Sequence, residues 1–276
     1  MKVEPAVHQI SIGREPFTGF PPPNSFLVCG SQSSVMIDSG WESENDHYAR
    51  LQLIKSLNVP PVNHVILTHR HPDHAGGALR LYEELNANLA CHHLERSSIE
   101  SERYVSAGVT FETISEGDRF ELGNLTIEII DTPGHTIGCI APYIPELSAL
   151  FASDSVMGIS TTVVRSNEGD LGEYEKSLRK MQSIRPRIIY SGHGPPVTNP
   201  MARLEFLIDH RLKREHELIN LLSISEMSID RLCEAMYKGI SKPREALAKE
   251  QIISILRKLK NEGAVKEDHG AIWQIN

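Results

Sequence analysis

The sequence predicts an α/β protein, with one large mixed domain over residues 1–199 and a small appended unit over residues 200–276. Three observations carry this. Short apolar runs alternate with helically spaced segments through the first 199 residues. Polar metal-type donors follow several of those runs directly, as expected at the carboxyl ends of strands in an α/β sheet. The text then breaks at Gly192-His-Gly-Pro-Pro-Val-Thr-Asn-Pro200 and changes to a helix-dominated pattern.

Candidate strands are Ser25–Cys29, Ser34–Asp38, His64–Thr68, Leu125–Asp131, Leu150–Ser153 and Arg187–Ser191, mostly rich in Val, Ile and Leu and ended by Gly, Asp or Pro. Helical spacing marks Asp46–Leu57, Asp73–Leu85 and Gly172–Ile184. Pro21-Pro22-Pro23 gives an extended approach to the strand after it. Asn199 stands as an N-cap with Pro200 at the first helical position, opening a helix to about Leu222. A helix near Ile229–Tyr237 follows, then one over Arg244–Lys260 with Ile252, Ile255, Leu256 and Leu259 on one face and Gly263 as its C-cap. Ala264–Lys266 and Ala271–Ile275 flank Glu-Asp-His-Gly and read as a hairpin, so the tail has a winged-helix outline.

The 276 residues are 40% hydrophobic, enough to bury a core, and no run reaches the 18 or so apolar residues of a membrane span. The first residues show no apolar signal region. Cys29, Cys91, Cys139 and Cys233 stand far apart with no C-x-x-C pair, which suits reduced thiols, and a cytoplasmic location is the expectation. Net charge is −8: residues 200–276 hold 13 Lys and Arg against 12 Asp and Glu, and the rest hold 15 against 24. An acidic body argues mildly against tight nonspecific polyanion binding.

Chemistry is concentrated in Thr68-His-Arg-His-Pro-Asp-His-Ala-Gly-Gly77, where His69, His71, Asp73 and His74 fall within six positions. Imidazoles and carboxylates suit zinc-like metals, and four donors this close suggest two adjacent ions. Asp73 would also serve as an ordinary N-cap. Gly76-Gly77 let backbone pass near a site or allow a close helix contact. Three further donors follow apolar strands: His135 after Leu125–Ile130, Asp154 after Ala149–Ser153, and His193 after Ile188–Gly192. Neither G-x-S-x-G nor G-x-G-x-x-G occurs, so a serine elbow or a dinucleotide loop has no basis here.

Thr68–Gly77, Thr132-Pro-Gly-His-Thr136, the Asp154 segment and Gly192-His-Gly-Pro195, in this order, resemble the metallo-β-lactamase superfamily. The resemblance implies an αββα sandwich in which His69, His71 and His135 bind one metal, Asp73, His74 and His193 bind a second, and Asp154 bridges them. Ser153 stands where the family usually has Gly before the bridging aspartate. With the C-terminal pattern, the chain is most similar to the β-lactamase-like protein 2 branch, which adds a winged helix to the sandwich and includes a single-strand-specific endoribonuclease.

The expected cofactor is Zn²⁺, two per chain, with Mn²⁺ or Fe open to the same donors. The expected chemistry is attack by a metal-bridging hydroxide on an ester, thioester or lactone-type small molecule, with Asp73 as the catalytic residue that holds the second metal and orients the nucleophile. The alternative is a metal-dependent endoribonuclease on single-stranded RNA, resting on Lys249, Arg257, Lys258 and Lys260, whose plainer reading is a solvated helix face. A third reading, a non-enzymatic nucleic-acid-binding or dimerising protein, leaves a full donor set idle. Partners are thus a small molecule or single-stranded RNA, with a homodimer open and no membrane. His210 and Arg214 could reach a phosphate near the site or pair along their helix. His92-His93 beside Cys91 reads as structural, Cys139 as a small buried hydrophobe, and His8, His47 and His269 carry no motif.

Overall fold

The computed structural model describes residues 2–4, 6–13, 21–268 and 272–276. Seven strands form a first sheet in sequence order: β1 (Lys2–Glu4), β2 (Val7–Ser11), β3 (Asn24–Cys29), β4 (Ser34–Ile37), β5 (Val62–Leu67), β6 (Asn88–His92) and β7 (Glu112–Ile114). The second sheet runs β12-β11-β10-β9-β8, built from β8 (Arg119–Glu121), β9 (Thr126–Asp131), β10 (Ile140–Ile144), β11 (Ala149–Ser153) and β12 (Ile188–Ser191). The helices are α1 (Glu44–Ser56), α2 (Pro72–Ala75), α3 (Ala78–Leu85), α4 (His93–Ile99), α5 (Glu102–Ser106), α6 (Leu171–Ile184), α7 (Pro200–Ile224), α8 (Ile229–Met236) and α9 (Lys242–Asn261).

The two-residue period of the strands sorts their side chains into three apolar layers. Phe26, Val28, Val35, Ile37 and Ile66 of the first sheet meet Ile127, Ile129, Phe151 and Tyr190 of the second. Leu27, Met36, Val65 and Leu67 face the other way, against Ile54, Ala78 and Leu81 of α1 and α3. Leu150, Ala152 and Ile189 turn outward onto Leu178 and Met181 of α6 and Leu204 and Leu207 of α7. The layers are therefore helices, sheet, sheet, helices. The strands buried on both faces were the ones visible as continuous apolar runs.

The helix expected over Asp73–Leu85 is two helices. Gly77 N–H bonds Gly40 O at 2.8 Å instead of continuing α2. A Cβ on Gly76 would lie 2.3 Å from Pro72 O, and one on Gly77 2.5 Å from Ser39 O, so the break rests on close backbone packing. Strands β2, β6, β7, β8 and β10 and helices α4 and α5 were not anticipated. They are short, and β10 carries Pro142 mid-strand, a residue that argues against a strand in sequence.

In the tail, β13 (Met227–Ser228), β15 (Ile272–Ile275) and β14 (Val265–Asp268) form a small antiparallel sheet beside α8 and α9. The middle of the expected hairpin loop, including His269, lies outside the described residues. Ala248, Ile252, Ile255, Leu256 and Leu259 of α9 share one apolar cluster with α6, α7 and the second sheet. The tail is packed onto the body. Among the described residues, no helix is long and apolar enough to cross a membrane.

Candidate metal centre

All seven expected donors converge at one edge of the two sheets. His69, His71, His135 and Asp154 can bring one donor atom each to within 4.8 Å of one another, and Asp73, His74 and His193 do the same. Specific gaps are short. His69 Nε2 and His135 Nε2 lie 3.0 and 3.1 Å from His71 Nδ1. His193 Nε2 and His74 Nε2 lie 3.2 and 3.5 Å from Asp73 Oδ2. Two imidazole nitrogens on one tetrahedral zinc are about 3.3 Å apart, so this is the spacing of a ligand shell. Asp154 faces both groups: Oδ1 is 3.3 Å from His74 Nε2 and 3.6 Å from His193 Nε2, while Oδ2 is 3.7 Å from His135 Nε2.

A second layer fixes which nitrogen faces inward. His74 Nδ1 donates to Asp38 Oδ2 at 2.8 Å, His135 Nδ1 to Val163 O at 2.8 Å, and His193 Nδ1 to Pro21 O at 2.9 Å. Each turns its Nε2 toward the site. His71 is turned over, with Nε2 held 3.2 Å from Glu168 Oε1 and Nδ1 facing in. His74 Nε2 and Asp154 Oδ1 are buried 3.3 Å apart without a well-formed hydrogen bond, so both are open to a cation in place of the proton that the surrounding carboxylates otherwise draw there. The donor set therefore fits two N/O-ligated metals.

The electrostatics agree. Burial, then the neighbouring imidazoles, push His69 well below the usual histidine range, and burial with His71 takes His135 to about 4, so both stay neutral as ligands must. Burial opposes charge on His74, but Asp73, Asp154 and Asp38 outweigh it and hold its pKa well above the ordinary value. Asp154 is buried too, yet His74, His193 and His135 keep it well below the carboxylate range. A cation at this point meets surplus negative charge.

Asp38, Thr68, Ser153, Glu95 and Glu168 were missed in the sequence. Asp38 accepts from Thr68 N at 2.8 Å as well as from His74. Ser153 takes a left-handed backbone, φ 44°, which explains a preference for Gly there, and its hydroxyl donates to Asp38 Oδ2 at 3.1 Å. Glu95, fully buried on α4, accepts from Arg70 N, Nε and Nη2 and from Gly138 N at 2.7–2.9 Å. It thereby ties the loop of His69–His74 to that of His135. The remaining sequence candidates take structural places. His92 caps α4, with Nδ1 accepting from Leu94 N. Cys139 is buried beside Thr136 with its thiol pushed up to about 12. Arg214 lies over Tyr237 and pairs with Glu217. Neither His210 nor Arg214 lines the cleft described below.

Residues 18–193 match the model of the metallo-beta-lactamase superfamily, well over half the chain. The chain belongs to this superfamily. Among curated relatives, the Caenorhabditis elegans beta-lactamase-like protein 2 homolog is 27% identical over 89% of this chain and 81% of its own. An atrochrysone carboxyl ACP thioesterase of Aspergillus fumigatus is 30% identical over 71% of this chain and 58% of its own length. A solved beta-lactamase domain protein from Burkholderia ambifaria superposes with a TM-score of 0.87 at 21% identity, covering 100% of this chain and 93% of that one. With the superfamily shown, the chain is a metal-dependent hydrolase, and the donor cluster is its candidate metal-binding site.

Proposed function

We propose that this chain hydrolyses an ester, thioester or lactone-type small molecule at two metal ions. His69, His71 and His135 would hold one ion, Asp73, His74 and His193 the other, with Asp154 shared. When bound, the metals supply Lewis acidity and lower the pKa of water at the site. The chain's own residues do the rest. Asp38, Glu168 and the Val163 and Pro21 carbonyls orient the imidazoles. Asp73, 3.2 Å from His193 Nε2, keeps a carboxylate at the cleft floor where it can orient a water. Zinc is the proposed metal, with Mn²⁺ or Fe suited to the same donors.

The observation that carries the small-molecule reading is the cleft. It encloses about 260 Å³ over the donors and is walled by Met157, Thr161, Thr162, Val163, Arg165 and Leu247. Apart from the Arg165 guanidinium, which could meet a carboxylate or another anionic end of the substrate, those walls are aliphatic or hydroxylic, suited to an acyl group. Among the described residues, the walls contain no Phe, Tyr or Trp ring on which a base could stack.

The cations put forward for RNA are engaged within the chain. Lys249 pairs with Asp230 and Glu245, Lys258 with Glu215 and Lys260 with Glu267, and Arg257 donates to Ser166 O. We take residues 200–276 as a linker helix and a winged-helix-like unit set against the cleft.

The test is a panel of thioesters, lactones and aryl esters run beside an unstructured RNA oligonucleotide, each with a chelator control and Asp73→Ala protein. Metal-dependent ester or thioester turnover, reduced at least a hundredfold in Asp73→Ala, is expected. RNA cleavage that needs both metal and Asp73, with no turnover of the panel, would replace this reading with the ribonuclease.

A further inference from the structure

The segment from Asp154 to Asp170 is irregular, yet it supplies much of the cleft wall and two of the groups that orient metal donors. Val163 O holds His135 Nδ1, and Glu168 holds His71 Nε2. An irregular segment has no ladder to fix its carbonyls, so other groups must do so. Here the C-terminal helices do it. Arg203 of α7 donates to Met157 O at 2.8 Å and to Ser160 O. The carbonyls on either side of Val163 are both taken: Thr162 O by buried Arg211 of α7, and Val164 O by Gln251 Nε2 at 2.9 Å and Ser254 Oγ at 2.6 Å, both on α9. Arg211 Nη1 also donates to Gln251 Oε1 at 3.0 Å, locking the two helices together at this point. Three consecutive carbonyls are thus assigned, and the middle one is left for His135.

We propose that Gln251 and Ser254 of α9 are positioning residues of the metal centre, so that the C-terminal unit builds the active site instead of carrying a separate binding activity. Leu247, one turn earlier on the same helix face, is itself a wall of the cleft. With Gln251 and Ser254 absent, Val164 O loses its partners, the backbone at Val163 is held only on its Thr162 side by Arg211, and the acceptor that fixes the His135 ring is loosened. This inference rests on the metal-centre reading, and its test needs no substrate.

Full-length Ser254→Ala, Gln251→Leu, the double variant, Ser254→Thr and Lys249→Ala proteins are titrated with Zn²⁺ alone against a chromophoric chelator, after a melting scan to confirm folding. Loss of a group behind a ligand usually costs about 10–100-fold in metal affinity. The expected result is a loss of that order in the double variant, a smaller loss in Ser254→Ala, and recovery in Ser254→Thr. Lys249→Ala, whose ion pairs lie within the C-terminal unit, should bind zinc as the wild type does. Equal affinity in wild type and a folded double variant overturns the proposal, as does an equal loss in Lys249→Ala. If the wild type itself takes up no zinc, the metal-centre reading falls as well, so the two failures are told apart.

Discussion

Gly192 is the glycine whose missing side chain would fall directly on the candidate metal centre. A Cβ there would lie 2.0 Å from Asp154 Oδ1 and 2.9 Å from His74 Cε1, well inside contact distance. Gly192→Ala should therefore push the shared carboxylate out of place. Expected are loss of bound metal by elemental analysis and at least a hundredfold fall in hydrolysis, with an unchanged far-ultraviolet dichroism spectrum. A fully metallated, active alanine protein would mean Asp154 does not sit where metals bind. The seven donors were legible because four of them crowd one loop and three follow apolar strands, and a superfamily resemblance ordered them. The same strand-end rule points to Asp38 after Val35–Ile37, but the residue reads equally well as the last position of a strand. Only its left-handed φ of 59° and a partner 36 residues onward, His74, reveal the role. Glu168 had no signal at all: it sits in an irregular segment, and its partner His71 is far away in sequence.

Among elements, α4 is the one whose purpose the sequence hid. Its Glu95 is a fully buried carboxylate joined to Arg70 and to Gly138 N–H, bridging two donor loops on different strands. Burial alone would raise its pKa, but the Arg70 and Gly138 contacts outweigh this and lower it. Removing one partner of a buried pair strands the other, at a cost of roughly 3–5 kcal/mol. Glu95→Ala should lose stability of that order in urea unfolding, and should loosen both loops enough to weaken metal binding. A loss under about 1 kcal/mol would show the pair to be as weak as an exposed one. The start of α7 was read from sequence to the residue, since Asn199 and Pro200 cap it as capping chemistry requires, and the long apolar strands to within about two residues. The short strands and α4 escaped because their patterns are too short to show a period.

At the scale of the whole molecule, the C-terminal unit is joined to the body by a buried charge cluster that should respond to pH. Glu175 of α6, Glu215 of α7 and Lys258 of α9 meet there, with half-exposed Glu262 at the end of α9 beside them; Lys258 Nζ is 2.8 Å from Glu215, 3.2 Å from Glu262 and 3.5 Å from Glu175. One cation faces three carboxylates. Burial, with Glu215 alongside and only Lys258 opposing, raises the Glu175 pKa from 4.5 to about 7. The folded state then binds a proton that the unfolded chain releases between those values, so stability is fully present below about 4.5 and falls as pH rises through about 7. Glu175→Gln keeps the shape of the protonated acid and cannot ionise. Its melting temperature should match wild type near pH 5 and exceed it by roughly 2–4 °C at pH 8, the shift that about 1 kcal/mol produces in a chain of this size. Differential scanning fluorimetry across pH 5–8 reads this directly. A gap that stays constant over that range would mean the Glu175 carboxyl does not titrate there. If the gap opens as expected, then the contact that brings α9 against the metal centre weakens with rising pH. Metals bound by imidazoles gain affinity over the same range as their ligands shed protons, so the two effects oppose each other in holding the cleft together.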